Sequence, residues 1–143
     1  MKRLLLLVLV FLTGCASKMK EEAVNEVYEE VDKVILAIDE ATEKNFKNYL
    51  FIDLRENINE NEHIKGFTVV DKEKLDDALK GLKSYTFIML VSDRPELTLE
   101  RASYIENKGF YNVKSVNILT EILIENLGLR GYLQQESCPP GGC

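Results

Sequence analysis

The apolar residues of this chain fall into three successive patterns. Residues 4–12 are an unbroken run of Leu, Val and Phe. From Lys20 onward Val24, Val27, Tyr28, Val31, Val34, Ile35 and Ile38 recur every three or four positions, with Glu and Lys between them, which predicts an amphipathic helix. Asp39-Glu40-Ala41-Thr42 then reads as a fresh helix start, with Asp39 as N-cap and a short helix over about 39–47. Beyond it the pattern changes to short, largely apolar runs at 49–52 (ending at Asp53), 66–70 and 86–91, followed by Val113-Lys114-Ser115-Val116. These predict strands, with 86–91 the longest and most central. Helical spacing fills the gaps: Leu75, Ala78, Leu79 and Leu82 within 72–82, a helix over 98–107 stopping at Gly109, and a last one over 120–127 closed by Gly128. Strands alternating with helices of about ten residues predict the α/β class, with a mostly parallel sheet covered on both faces.

The opening run is too short for that scheme and for a membrane span. It has nine residues, against the roughly 20 that a bilayer-crossing helix needs. Met1-Lys2-Arg3 before it and small residues after it give the layout of a secretory signal. Leu12-Thr13-Gly14-Cys15 resembles the lipobox of bacterial lipoproteins. The resemblance implies acylation of Cys15 (palmitate among the chains), removal of 1–14 as a signal peptide, and a partner that is the membrane itself, reached through the lipid on Cys15. Residues 15–36 are then the attachment site and leading helix. Ala16 in place of Asp resembles lipoproteins sorted to an outer membrane where the cell has two. Cleavage leaves 129 residues and, with Lys2 and Arg3 gone, a net charge of −8. An acidic body of that kind leaves the acyl chains to supply the attachment.

Composition narrows the function classes. With 143 residues, 45% hydrophobic and 29% charged, the chain has room for one core. Eighteen basic against 24 acidic side chains argue against nucleic acid, since a phosphate-binding surface needs a basic excess. One His and three Cys supply neither a disulfide framework nor a closed metal site, and no cofactor is expected.

In a parallel sheet, ligands bind at the carboxyl ends of the strands, which directs attention to Asp53 and to residues 92–98. Phe51-Ile52-Asp53-Leu54-Arg55 followed by Glu62-His63-Ile64-Lys65-Gly66 resembles the first half of the rhodanese homology domain, Asp-x-Arg and then Gly-His-Ile-x-Gly-Ala. The second half matches in order: a central strand, a seven-residue loop, a helix ending at Gly109-Phe110 and a strand opening at Asn112-Val113. The resemblance implies a single rhodanese-like domain over 37–132, followed by a tail at 133–143. It also implies that Asp53, Arg55, His63 and Gly66 form a structural motif, the carboxylate and guanidinium tying loops together at the sheet edge.

The same resemblance identifies what is missing. Active members carry Cys-x-x-Gly-x-Arg-Ser/Thr in the loop, where the Cys accepts sulfane sulfur as a thiolate held by a ring of backbone N–H groups. Here the loop reads Ser92-Asp93-Arg94-Pro95-Glu96-Leu97-Thr98. Ser92 stands for the Cys, Pro95 for the Gly and Leu97 for the Arg. A hydroxyl cannot carry a persulfide, Pro95 removes a donor, and Asp93 and Glu96 place negative charge where a sulfur-bearing anion would sit. The implied result is a rhodanese-like domain without sulfurtransferase activity. A hydrolase using Ser92 with His63 as base is a weaker reading, because the chain has no Gly-x-Ser-x-Gly elbow and nothing in the sequence brings the two together.

The tail, Ser137-Cys138-Pro139-Pro140-Gly141-Gly142-Cys143, places a turn-forming Pro-Gly between two Cys, which a small disulfide-closed loop would suit. Two function classes remain open at this point. One is a lipid-anchored binding or interaction module presenting 92–98 to an unidentified protein or small ligand. The other is a sulfurtransferase or thiol oxidoreductase working through Cys138 or Cys143.

Overall fold

A computed structural model of the protein describes residues 26–134. Five parallel strands form one sheet in the order β1-β5-β4-β2-β3. They are β1 (Glu26–Tyr28), β2 (Tyr49–Asp53), β3 (Phe67–Val69), β4 (Phe87–Val91) and β5 (Val113–Val116). The helices are α1 (Val31–Glu43), α2 (Leu75–Leu79), α3 (Pro95–Asn107) and α4 (Thr120–Leu129). The predicted α/β class with a parallel sheet between helices is the one observed. β4 is central, and β2 equals it at five residues.

Period-two alternation divides the core into two layers. Along β4, Met89 and Val91 face Val34, Ala37, Ile38 and Ala41 of α1 and Leu123, Ile124 and Leu127 of α4. Ile88 and Leu90 face Leu75 and Leu79 of α2 and Ala102 and Ile105 of α3. Because both faces are covered, the central strands are continuous apolar runs.

Four local expectations are corrected. The leading helix does not run through Val27 and Tyr28, which lie in β1; among the described residues it starts at Val31. The spacing of Val24, Val27 and Val31 suits a helix, but pairing along β5 gives Val27 and Tyr28 ladder partners in Ser115 and Val116, and tertiary pairing overrides local propensity. Residues 26–36, read as part of a leading segment, therefore belong to the sheet domain. Asp39 is no N-cap either. It lies inside α1, and its carboxylate accepts the Tyr132 hydroxyl at 2.8 Å. Helix α1 ends where Asn45, Phe46 and Asn48 adopt positive φ.

The helix expected over 72–82 is a 3₁₀ turn (Lys72–Lys74) running into the short α2. Finally, α4 passes through Gly128, which was expected to close it, and turns at Gly131 (φ 81°). The missing side chain at Gly128 serves packing: a Cβ there would come within 3.3 Å of Leu133 Cδ1. Among the described residues no helix is long and apolar enough to cross a membrane.

Candidate functional site

The carboxyl ends of β2 and β4 are adjacent, with Asp53 in register with Val91, and this brings the two expected site segments side by side. After β2 the chain is held by charge. Asp53 is wholly buried and Arg55 is 4% exposed. Arg55 Nη2 donates to Asp53 Oδ2 at 2.7 Å, its Nε lies 3.0 and 3.1 Å from the two carboxylate oxygens, and its backbone N–H donates to Oδ1 at 3.0 Å. The same Nη2 reaches the Glu62 carbonyl at 2.8 Å. One side chain therefore pins the crossover from β2 to β3 against the sheet, in the bidentate geometry that a guanidinium permits. His63 follows that anchored carbonyl. It is half-buried, and its own backbone carbonyl accepts the Gln134 N–H at 2.7 Å. Gly66 has φ of 82°, and a Cβ there would fall 2.5 Å from Phe46 Cζ. Both conformation and space require glycine at this position.

After β4 the segment 92–98 is not the seven-residue loop expected. Only 92–94 lie outside regular structure, and α3 begins at Pro95, three residues before the predicted start. The cause is local. Proline's fixed φ suits the first helical position, and it pushes the preceding residue out of the helical region: Arg94 is at φ −132°, ψ 122°. The Arg94 carbonyl then accepts the N–H groups of Leu97 and Thr98 at 3.1 and 3.3 Å.

Ser92 is buried beneath this turn. Its hydroxyl donates to the Arg94 carbonyl at 2.5 Å, lies 2.6 Å from the Thr98 hydroxyl and accepts the Arg94 N–H at 3.2 Å. Its partners are Arg94 and Thr98; His63 is not among them. The Thr120 hydroxyl donates to the Ser92 carbonyl at 3.3 Å, which ties the segment to the start of α4. Asp93 and Arg94 are exposed.

A cleft of about 250 Å³ opens beside this edge, lined by Leu54, Arg55, Glu56, Val70, Asp71, Lys72 and Glu73. It is shaped by the segments after β2 and β3, and none of residues 92–98 lines it. A hydrogen bond links the two regions, the Glu56 N–H donating to Asp93 Oδ2 at 2.9 Å. Sequence reasoning passed over Glu56 and 70–73. The same carboxyl-end rule that singled out Asp53 applies to the end of β3 and would have found them. Among the described residues no group of three or more His, Cys, Asp or Glu is arranged to hold a metal ion. Cys15, Cys138 and Cys143 lie outside the described residues.

The architecture is that of a small α/β domain of the rhodanese-like fold. The BH2092 protein of Bacillus halodurans superposes with a TM-score of 0.52 at 19% identity, over 69% of this chain and 72% of that one. The rhodanese-like domain of the Alr3790 protein from Anabaena sp., solved in solution, gives a TM-score of 0.50 at 21% identity, over 76% of this chain and 83% of that one. No family model matches the sequence, and no curated protein does.

Proposed function

We propose that this chain is a lipid-anchored protein of the bacterial cell envelope whose rhodanese-like domain binds a partner and does not transfer sulfur. The observation that carries the reading is the polarity around residue 92. A persulfide site needs N–H donors converging on a thiolate. Here the side chain at 92 is a hydroxyl, and the nearest group to it is an acceptor, the Arg94 carbonyl at 2.5 Å. The recognition surface is the exposed pair Asp93 and Arg94 with the adjoining cleft at Glu56, Asp71 and Lys72. Attachment is through the lipid on Cys15, at the outer membrane where the cell has two.

The test is a thiosulfate and persulfide transfer assay on the purified chain. We expect no turnover above that of a Ser92→Ala variant. Turnover that survives Ser92→Ala and vanishes with Cys138→Ser or Cys143→Ser would assign the activity to the tail thiols and overturn the binding reading. The anchor is tested separately: Cys15→Ser should remove the acyl mass and release the protein from the membrane fraction. Unmutated protein recovered from cells without acyl mass would refute it.

A further inference from the structure

The end of the sheet opposite the candidate site has a different character. Three of the connections at this end are 44–48, which leads into β2, 80–86 into β4 and 108–112 into β5. They form one continuous floor, because the Asn48 carbonyl accepts the Phe87 N–H at 2.9 Å, the Ser84 carbonyl accepts the Tyr111 N–H at 3.2 Å, and the Asn112 carbonyl accepts the Ile88 N–H at 3.0 Å. In an acidic chain these connections hold Lys44, Lys47, Lys80, Lys83 and Lys108 and no Asp or Glu. Lys44, Lys80 and Lys108 pair with Glu40, Asp77 and Asp76. Lys47 and Lys83 are exposed and have no ion-pair partner among the described residues. Beside them Tyr85 and Tyr111 stand out, 47% and 58% exposed.

Chain direction supplies a second, independent observation. β1 runs parallel to β5, with Glu26 opposite Lys114, so the chain enters the sheet at this same end. Cys15 precedes Glu26 by eleven residues, a length that spans at most about 40 Å.

We infer that this floor is the face the domain lays against the membrane. Lysines are drawn to anionic headgroups, and tyrosines are suited to the interface by an apolar ring with a polar tip. The carboxyl end, where Glu56, Asp71, Glu73, Asp93 and Glu96 outnumber Lys72, Lys74 and Arg94, is repelled and faces away, leaving the candidate site open to a partner. The net charge averages these two ends and conceals the orientation. The inference rests on the lipid anchor at Cys15, which holds the domain within reach of the surface.

The test uses the full acylated protein reconstituted in phosphatidylcholine vesicles with and without a third of phosphatidylglycerol. Lysines are labelled with an amine-reactive acetylating reagent and read by mass spectrometry. Lys47 and Lys83 should label several-fold more slowly in the anionic vesicles, Lys72 and Lys74 should be unchanged, and high salt should reverse the protection. In a Lys47→Glu/Lys83→Glu variant that keeps its circular dichroism spectrum, Lys44, Lys80 and Lys108 should label equally in both vesicles. Equal labelling of Lys47 and Lys83 in an acylated protein, or protection of Lys72 and Lys74 instead, overturns the orientation alone. Protein whose intact mass shows no acyl group on Cys15 loses the anchor, and the docking proposal falls with it.

Discussion

The segments after β2 and β4 leave adjacent strands at the same edge of one sheet, yet they are held by opposite means. The first is organised around a buried charge pair in which Arg55 meets both oxygens of Asp53 and the Glu62 carbonyl. The second is organised by hydroxyls folded back on backbone, with Ser92 and Thr98 both contacting the Arg94 carbonyl. The charge pair is specific to its two side chains: neither can change without stranding the other in a dry environment. The hydroxyl turn depends more on backbone conformation, because Pro95 fixes where α3 begins and the carbonyl it exposes needs only some donor.

The comparison is broken most severely at the charge pair. Asp53→Ala leaves the Arg55 guanidinium buried without its carboxylate, and losing one partner of a buried pair costs about 3–5 kcal/mol. Urea denaturation should register that loss as a lower midpoint. A cost under about 1 kcal/mol, as for an exposed pair, would mean that backbone contacts hold the loop and that the two segments are held alike.

A smaller effect is expected in the hydroxyl turn. Thr98→Val keeps shape and volume close to the original and removes one hydroxyl from the buried cluster, while Ser92 retains the Arg94 carbonyl and N–H. The expected cost is about 1 kcal/mol, the net worth of one hydrogen bond. A loss as large as that of Asp53→Ala would show that both segments are equally intolerant.

How far these two segments could be read from the sequence follows from the same contrast. Asp53 and Arg55 were legible through the resemblance of Asp53-Leu54-Arg55 to the Asp-x-Arg of the rhodanese homology domain, at the end of an apolar strand. The strands of the central sheet were legible from their pattern, since 49–52 and 86–91 are apolar on both faces. Segment 92–98 was legible as residue types and not as conformation. The residue types could be read directly, but the early start of α3 depended on Pro95 acting on both its own φ and that of Arg94. β1 was hidden because Val27 and Tyr28 fit a helical stripe as well as a strand, and only β5, more than 80 residues later, decides between them. The cleft at Glu56 and Asp71 depends on two segments meeting after adjacent strands, so the carboxyl-end rule points to its residues while no local pattern encodes its shape.

The smallest expected change in stability is also the most direct probe of the polarity argument. Ser92→Cys exchanges one small, buried side chain for another, so the fold should lose no more than about 1 kcal/mol. The new thiol would sit where the Ser92 hydroxyl meets the Arg94 carbonyl and the Thr98 hydroxyl. Burial and a facing carbonyl oxygen both oppose a thiolate, so its pKa should stay at or above the free value of about 8.5 and thiosulfate should leave no sulfur adduct. Adding Pro95→Gly and Leu97→Arg changes the terms of that environment. Glycine supplies the missing N–H and releases both its own φ and that of Arg94, so the carbonyl can turn away and the N-terminus of the 13-residue α3 can face the sulfur. The triple variant should therefore have a lower thiol pKa than Ser92→Cys alone and should accept sulfur at residue 92. The pH dependence of iodoacetamide reaction and mass spectrometry after thiosulfate treatment, both in a Cys138→Ser/Cys143→Ser background, read the two quantities. A single Ser92→Cys variant that already shows a depressed pKa and a sulfur adduct would mean that the turn at Arg94 does not oppose an anion. The binding reading would then have to rest on the missing thiol alone.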